Sequence, residues 1–444
     1  MSALPEAKLK IVRSLVEQAP DKAVATLLAA LSADGGLDPG LAAVRVIVEL
    51  EARDRRARNF VFSPIAPLCT PGRARAVSFP PRTLARLWKA LRACEPDLTA
   101  AATALVQEWS PAESRPDTLD ELCVIAARGL RAGETTEFKA VIQAADEGAG
   151  ASTLAACLDL AAVTRRSISR LPEWLGRITE EKAALLRLAF KDVSNIAPDS
   201  EPLFFEMLAA HLAEPWQILR IIAMAMARPS DTYLASTELG MFGEEMLAEI
   251  DRRVDLVSRF NRDAGQDGAK AAADAIHNAV QEIVEFEQSL NLSPEGVWGR
   301  RLIKQRRTLA ASVESHLRAV DDAMGHALPL ATVRLGPRTL KGVPRLTLDP
   351  DPTMIGRAMT LLTFLQQTRT SASTGGFASA RSKAQEIAEA RLDEYVDDLV
   401  ADLRNGDSKQ PERARAFLET AAQLSAVIRD DKAAQLVRRR AAAA

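Results

Sequence analysis

The sequence is poor in residues that form strands or build specialised sites. It has two Tyr, four Cys and four His among 444 residues. Few β-branched alternations occur, so folds built mainly from strands are disfavoured. The cysteines form no CxxC pair, which argues against a structural zinc site and predicts buried thiols in a reducing compartment. We therefore expect no metal and no cofactor.

Glycine-rich phosphate-binding loops and the nucleophile elbow are also missing. Neither GxxxxGK[ST] nor GxGxxG occurs, and GxSxG is absent. These motifs aim backbone N–H groups at phosphate or present a catalytic serine. The sequence therefore favours a non-enzymatic protein, with an enzyme of no recognisable motif as an alternative.

The chain has neither a leader-like start nor an apolar run of membrane length. Residues 1–10 have no apolar core and include Glu6, unlike a signal peptide. The most apolar stretch, 218–227, is about half of the roughly 20 residues that a bilayer-spanning helix needs. The sequence predicts a cytoplasmic protein, and its richness in arginine and alanine suggests a bacterial source.

Helical periodicity is what the sequence does contain. Apolar residues make up 47% and charged residues 26%, as in ordinary globular proteins. Up to about residue 230, short amphipathic segments are separated by Pro, Gly or Asp; beyond it, longer apolar stripes recur at three- and four-residue steps. We predict an all-α protein, with a solenoid-like array of short helices over 1–230. Over 231–444 we predict a long-helix bundle with coiled-coil character and one small β-hairpin.

The same pattern gives four local expectations. One helix is predicted over 152–165, and the last helix of the chain over 411–429. A flexible loop is predicted at 371–376. Ser293 is expected to cap the third long helix, with a proline at the first helical position.

The segment 55–86 has seven arginines and no acid, interleaved with three phenylalanines and five prolines. A long connection is predicted at 59–80, and such loops are usually functional or disordered. Arginine binds phosphate and carboxylate in a fork, and aromatic rings stack on bases or fill a partner's groove. The alternatives are an ordered loop packed by its phenylalanines, a protein or anionic partner, and specific nucleic-acid binding. The candidate binding residues are Arg55, Arg56, Arg58, Phe60, Phe62, Arg73 and Arg75.

A second basic cluster lies at the start of a long helix. Its candidate binding residues are Arg300, Arg301, Lys304, Arg306 and Arg307. Positive charge at a helix N-terminus is unfavourable with the helix dipole, so helix stability does not explain the cluster. With Trp298 it resembles a basic amphipathic segment that lies on an anionic membrane. The favoured interpretation is a charge match to acids of the same chain or of another subunit.

A third basic stretch, 323–348, contains no acid. Two short apolar runs about a Gly-Pro turn predict the hairpin there, as either a recognition element or a linker. Its candidate binding residues are Arg334, Arg338, Lys341 and Arg345. By contrast, 386–402 is acidic along one helical face, and this face is either solvated or the partner of a basic stretch.

These features favour an interaction or scaffold protein whose partners are other proteins, a second copy of itself included. The alternative is a binder of nucleic acid or of an anionic membrane surface through 55–86 and 298–345. A steep loss of binding with salt would indicate this alternative, since phosphate contacts release counterions.

Overall fold

The computed structural model describes residues 5–33, 39–71, 76–108, 117–176, 179–197, 199–226, 229–334, 340–406 and 410–444. The protein is all-α: it is 77% helical, and the strands of the described residues form one two-stranded antiparallel sheet. The predicted fold class and its small hairpin are confirmed. The chain divides into two compact units, Met1–Ala227 and Arg228–Ala444.

The first unit is an array of mostly short helices. Its longest helix, α3, has 23 residues. Two short 3-10 helices, Ala66–Cys69 and Pro215–Gln217, connect longer elements. The α-helices are α1 Glu6–Gln18, α2 Asp21–Ala33, α3 Pro39–Val61, α4 Thr83–Cys94, α5 Pro96–Glu108, α6 Asp117–Ala132, α7 Thr136–Ala145, α8 Ala151–Asp159, α9 Ala161–Ile168, α10 Leu171–Leu175, α11 Glu180–Ile196, α12 Glu201–His211 and α13 Ile218–Ala225.

The second unit packs long helices side by side. Helices α15 and α18 both pack against α16 and α17, and α19, α20 and α21 extend the bundle. The bounds are α14 Asp231–Ala235, α15 Gly240–Ser258, α16 Gly265–Ser289, α17 Val297–Ala327, β1 Leu330–Arg334, β2 Leu340–Pro344, α18 Pro352–Gln367, α19 Ala378–Arg404, α20 Pro411–Ile428 and α21 Asp431–Ala442.

The core of the second unit forms where the apolar stripes meet. The Phe260 ring stacks on Phe364 at a centroid distance of 5.2 Å, and His316 packs edge-on against both rings. Burying a Phe or Leu side chain fully contributes about 1.5–3 kcal/mol. The one-sided stripes therefore supply most of the energy that holds these helices together.

Two of the local expectations are corrected. The predicted helix over 152–165 is two helices, α8 and α9, which meet at Leu160. Leucine is a good helix former, so the sequence carried no signal of this break. The segment 371–376 is a hydrogen-bonded turn and not a flexible loop: Ser371 and Ala372 are buried, and the Ser371 carbonyl accepts from Gly375 N–H at 2.7 Å.

The ends of two helices also differ from expectation. Helix α17 begins after Gly296, and Ser293 lies in the preceding turn, where its carbonyl accepts from Gly296 N–H. A further helix, α21, follows the predicted last one. Its N-cap Asp430 accepts from Ala433 N–H at 2.8 Å, a capping signal that sequence inspection had overlooked.

Candidate interaction surfaces

Helix α17 turns its apolar side toward the bundle. At Gly243 of α15, a Cβ atom would lie 2.5 Å from the Trp298 ring, so the indole occupies the space of a side chain. The indole N–H of Trp298 donates to the Glu244 carboxylate. Trp298 is only 2% exposed. It is therefore fixed inside the unit at the start of α17.

Two basic residues on the flanks of α17 are paired within the unit. Arg301 Nη2 lies 2.6 Å from Asp251 Oδ2, and its Nη1 lies 2.9 Å from Glu244 Oε2. Arg306 Nη1 lies 2.8 Å from Glu287 Oε1 of α16. Helical residues turn by about 100° each, so neighbouring positions reach different helices. Arg301 and Arg306 therefore form the kind of ion pair that the sequence favoured, and their acidic partners belong to the same chain.

Arg300, Lys304 and Arg307 lie on the outward face of α17, and we call them the basic stripe. Their spacing of four and three residues aligns them along about two turns. All three are exposed. The ion pairs of the described residues involve other cations of this helix and none of these three. A cation in the first turn costs typically 0.3–1 kcal/mol, so helix stability does not account for Arg300.

A hollow of about 770 Å³ lies beside the stripe, at the start of α17 and the end of α16; we call it the α17 hollow. Its lining includes Asn291, Leu292, Gly299 and Ile303. Ile303 is 40% exposed and precedes Lys304 of the stripe. The helix thus presents an apolar edge next to a row of cations.

Asp231 holds one wall of the α17 hollow in place. It is buried, and its Oδ2 accepts from Ser293 N–H at 3.2 Å. Its Oδ1 accepts from Thr232 N–H at 2.7 Å. Gly299 is required nearby, because a Cβ atom there would lie 2.0 Å from the Ser293 carbonyl oxygen. These contacts hold together the connection between α16 and α17 that lines the hollow.

In the first unit, Arg55 of α3 is buried. All five of its N–H donors are committed to the side chains of Glu51 and Asp21 and the carbonyls of Val16, Glu17 and Ala19. The first two of these carbonyls belong to the last turn of α1, where carbonyl groups lack the intrahelical N–H partners found earlier in a helix. The Ala19 N–H also reaches the Val16 carbonyl, at 3.2 Å. Arg55 thus caps a helix and has no donor left for a ligand.

Arg165 of α9 is committed in the same way and is only 2% exposed. Its donors reach Asp120, Ser63, the carbonyls of Phe60 and Val61, and the Cys123 thiol. Phe60 and Val61 end α3, so Arg165 caps the helix that carries Arg55. Sequence inspection did not single out Arg165. Its position at the end of an apolar helical run was the signal available.

The other candidates of 55–86 are mixed in placement. Arg58 Nη2 lies 2.5 Å from Asp21 Oδ2, whereas Arg56 is exposed. Phe60 is partly buried, and Phe62 is fully buried against Trp88 at a centroid distance of 6.3 Å. Arg73 and Arg75 lie outside the described residues. The predicted connection 59–80 is shifted, because α3 continues to Val61 and α4 begins at Thr83, and it includes the 3-10 helix Ala66–Cys69.

A groove of about 900 Å³ opens in the first unit beside these residues. Val24, Leu28 and Ile168 contribute apolar lining, and Arg55 and Arg165 form part of the wall. Since both arginines have their donors committed, they offer the groove only their carbon stems and flat faces. The groove is therefore an apolar feature with little hydrogen-bonding capacity from its buried cations.

The third basic stretch forms the predicted hairpin. Lys341 Nζ lies 2.9 Å from Asp398 Oδ1 of α19, and this hydrogen bond raises the pKa of Lys341. Arg334 is exposed, and Arg345 donates to the Thr347 hydroxyl. Arg338 lies outside the described residues.

Three acids of the acidic face of α19 form ion pairs inside the unit. Asp393 pairs at 2.8 Å with Arg429, the residue after α20, and the hydrogen bond lowers the pKa of Asp393. Asp397 lies 2.5 Å from Arg440 of α21. With Lys341 on Asp398, these contacts join α19 to α20, α21 and β2, and the basic stripe is not among them.

Several cysteine side chains and that of His316 are buried. Burial raises the pKa of the Cys69 and Cys123 thiols to about 12, which disfavours the reactive thiolate. Burial likewise lowers the pKa of His316, whose Nε2 lies 3.0 Å from the Val257 carbonyl. In the described part of the chain, no three His, Cys, Asp or Glu side chains form a group able to hold a metal ion.

Across the described residues, every helix is too short or too polar to traverse a lipid bilayer. No family model matches the chain. No curated protein matches it either.

Proposed function

We propose that this chain is a non-enzymatic interaction or scaffold protein of the bacterial cytoplasm. It binds an acidic partner protein through the basic stripe and the α17 hollow. The observation that carries this proposal is the division of the cations on α17. Arg301 and Arg306 are paired within the unit, whereas Arg300, Lys304 and Arg307 face outward without an ion pair among the described residues.

A protein partner suits this surface because it combines a recess of mixed polar and apolar lining with a row of cations beside it. Protein interfaces place apolar anchors at the centre and polar contacts around them. Exposed ion pairs contribute only about 0–1 kcal/mol each. The stripe therefore sets partner choice and association rate, and burial of Ile303 and of a partner side chain in the hollow supplies affinity.

Membrane and nucleic-acid binding receive less support from the same residues. The Trp298 ring would anchor α17 at a membrane surface, but it is buried against Gly243 and Phe286. Binding of single-stranded nucleic acid relies on aromatic platforms. The exposed apolar neighbours of the stripe are the aliphatic Val297 and Ile303.

The test is a pair of triple charge reversals that change net charge by the same amount. One is Arg300→Glu, Lys304→Glu and Arg307→Glu; the other is Lys383→Glu, Arg415→Glu and Arg439→Glu. The second set is exposed on α19, α20 and α21, and the ion pairs of the described residues do not involve it. Each full-length protein is used for affinity capture from native lysate, with quantitative mass spectrometry.

We expect a set of acidic proteins that the wild type and the control variant retain and the stripe variant loses. Equal capture by all three proteins contradicts the proposal. Nucleic acid in the captured material, with a steep loss in salt, would favour the polyanion alternative.

A further inference from the structure

The hairpin of the second unit has two edges that differ in chemistry. Its register pairs Leu330 with Pro344 and Val333 with Lys341. Arg345 N–H donates to the Pro329 carbonyl at 2.9 Å. In an antiparallel ladder, hydrogen-bonded and non-bonded pairs alternate. Pro329 and Arg345 are thus a hydrogen-bonded pair. Counting two and four residues along β1, the pairs Ala331–Val343 and Val333–Lys341 are hydrogen-bonded as well.

The outer edge of β1 follows from this alternation. Leu330, Thr332 and Arg334 direct their N–H and C=O groups away from β2. Each of the three has an N–H to donate. On β2 the corresponding residues are Leu340, Gly342 and Pro344, and proline has no N–H. Proline is a common device for blunting an edge against further pairing, so β2 is protected and β1 is open.

The surroundings of the two strands reinforce the difference. Strand β2 lies against α19, to which Lys341 is paired. Strand β1 is exposed along its length apart from partly buried Ala331, and Leu330 is 45% exposed. Of the described elements, β2 is the one that β1 packs against closely. A two-stranded ribbon is marginally stable alone, and a third strand adds to its stability.

We propose that the outer edge of β1 accepts an extended acidic segment of a partner protein as a third strand. Main-chain hydrogen bonds give such a complex its affinity, and alternate side chains give its specificity. The charge favours an acidic segment, because 323–348 contains no acid and Arg334 at the end of the edge has no ion pair among the described residues. A second copy would place two basic hairpins side by side. This surface is separate from the basic stripe, and its test is independent of the proposed function.

The experiment uses the full-length protein and a fluorescent synthetic peptide in which valine and glutamate alternate. A peptide of alternating valine and lysine is the charge control. Thr332→Pro removes an outward N–H and leaves the bonds between β1 and β2 in place. Leu340→Pro is the matched variant, because it makes the same change on the outer edge of β2.

We expect the wild type and Leu340→Pro to bind the glutamate peptide, and Thr332→Pro to lose it while keeping the wild-type melting curve. The lysine peptide should not bind. Hydrogen exchange should slow at the amides of Thr332 and Arg334 in the complex, and not at Gly342. Equal binding by Thr332→Pro, protection on β2, or no binding of the glutamate peptide overturns the proposal. A concentration-dependent dimer that Thr332→Pro abolishes also overturns it, since the occupant would then be a second copy.

Discussion

The buried arginines of the first unit and the basic stripe of the second differ in what their donors contact. Arg55 and Arg165 each commit all five N–H groups to carboxylates, carbonyls and nearby polar atoms. Arg300 and Arg307 are exposed and have no ion pair among the described residues. Both Arg55 and Arg300 lie in arginine-rich stretches of the sequence, so a high density of arginine did not by itself identify a binding surface.

This difference shows that an arginine side chain can lie at the C-terminal end of a helix for a purely structural reason. The last turn of a helix leaves carbonyl groups without backbone donors and carries partial negative charge. A planar guanidinium satisfies several of these at once. An arginine whose side chain faces the C-terminal end of another helix therefore acts as a cap of that helix. An arginine in the first turn of its own helix, such as Arg300, does not.

The largest expected effect comes from breaking the contacts of Arg165. Arg165→Met leaves Asp120 and the final carbonyls of α3 without their donor. Removing one partner of a buried pair costs about 3–5 kcal/mol, so the urea midpoint of the first unit should fall sharply. Arg166→Met, at an exposed neighbouring position, is the control and should change it little. A small effect at Arg165 would contradict the structural role.

A smaller effect is expected at Gly243, against which the Trp298 ring packs at the start of α17. Gly243→Ala places a Cβ atom against the Trp298 ring and should destabilise the second unit by about 1–3 kcal/mol, as overpacking does. Gly356→Ala on α18 is the matched control, because nothing lies within 4 Å of its added Cβ atom. Helix propensity predicts that the control is neutral or stabilising. Thermal melts of both variants compare the two sites, and equal melting temperatures would contradict the packing.

The pH dependence of the second unit should depend on His316. Burial lowers its pKa in the folded state, while the unfolded value is about 6.5. The stability that neutral His316 supports is therefore present above about pH 6.5 and is lost as pH falls through the folded pKa. Glutamine does not titrate, so the free energy of unfolding of His316→Gln, measured with urea, should change less between pH 7 and 5 than that of the wild type. The same change at exposed His326 should not.

The smallest stability effects are expected for the paired flank residues. Arg301→Ala removes two partly exposed ion pairs and Arg306→Ala removes one, and each pair is worth about 0–1 kcal/mol. Urea unfolding of each variant measures the change in the free energy of unfolding. A loss as large as that of Arg165→Met would remove the contrast between the two units.

Much of the fold followed from periodicity, because one-sided stripes of three- and four-residue steps have few structural solutions. The small hairpin was also predicted from its apolar runs. The break at Leu160 was not predicted, because leucine favours a continuous helix. Helix α21 was missed although Asp430 before it is a capping residue visible in the sequence. The division of the cations on α17 depends on which helices lie on each flank. Sequence alone identified the cluster and left open which members were paired.

Arginine labelling is the most direct test of the contrast between buried and outward arginines. Native protein is treated briefly with phenylglyoxal, and modified arginines are located by mass spectrometry. Arg300 and Arg307 should react rapidly in the native protein, whereas Arg55 and Arg165 should remain unmodified until urea unfolds the first unit. Reaction of Arg55 and Arg165 at the rate of Arg300 in the native state would contradict the account.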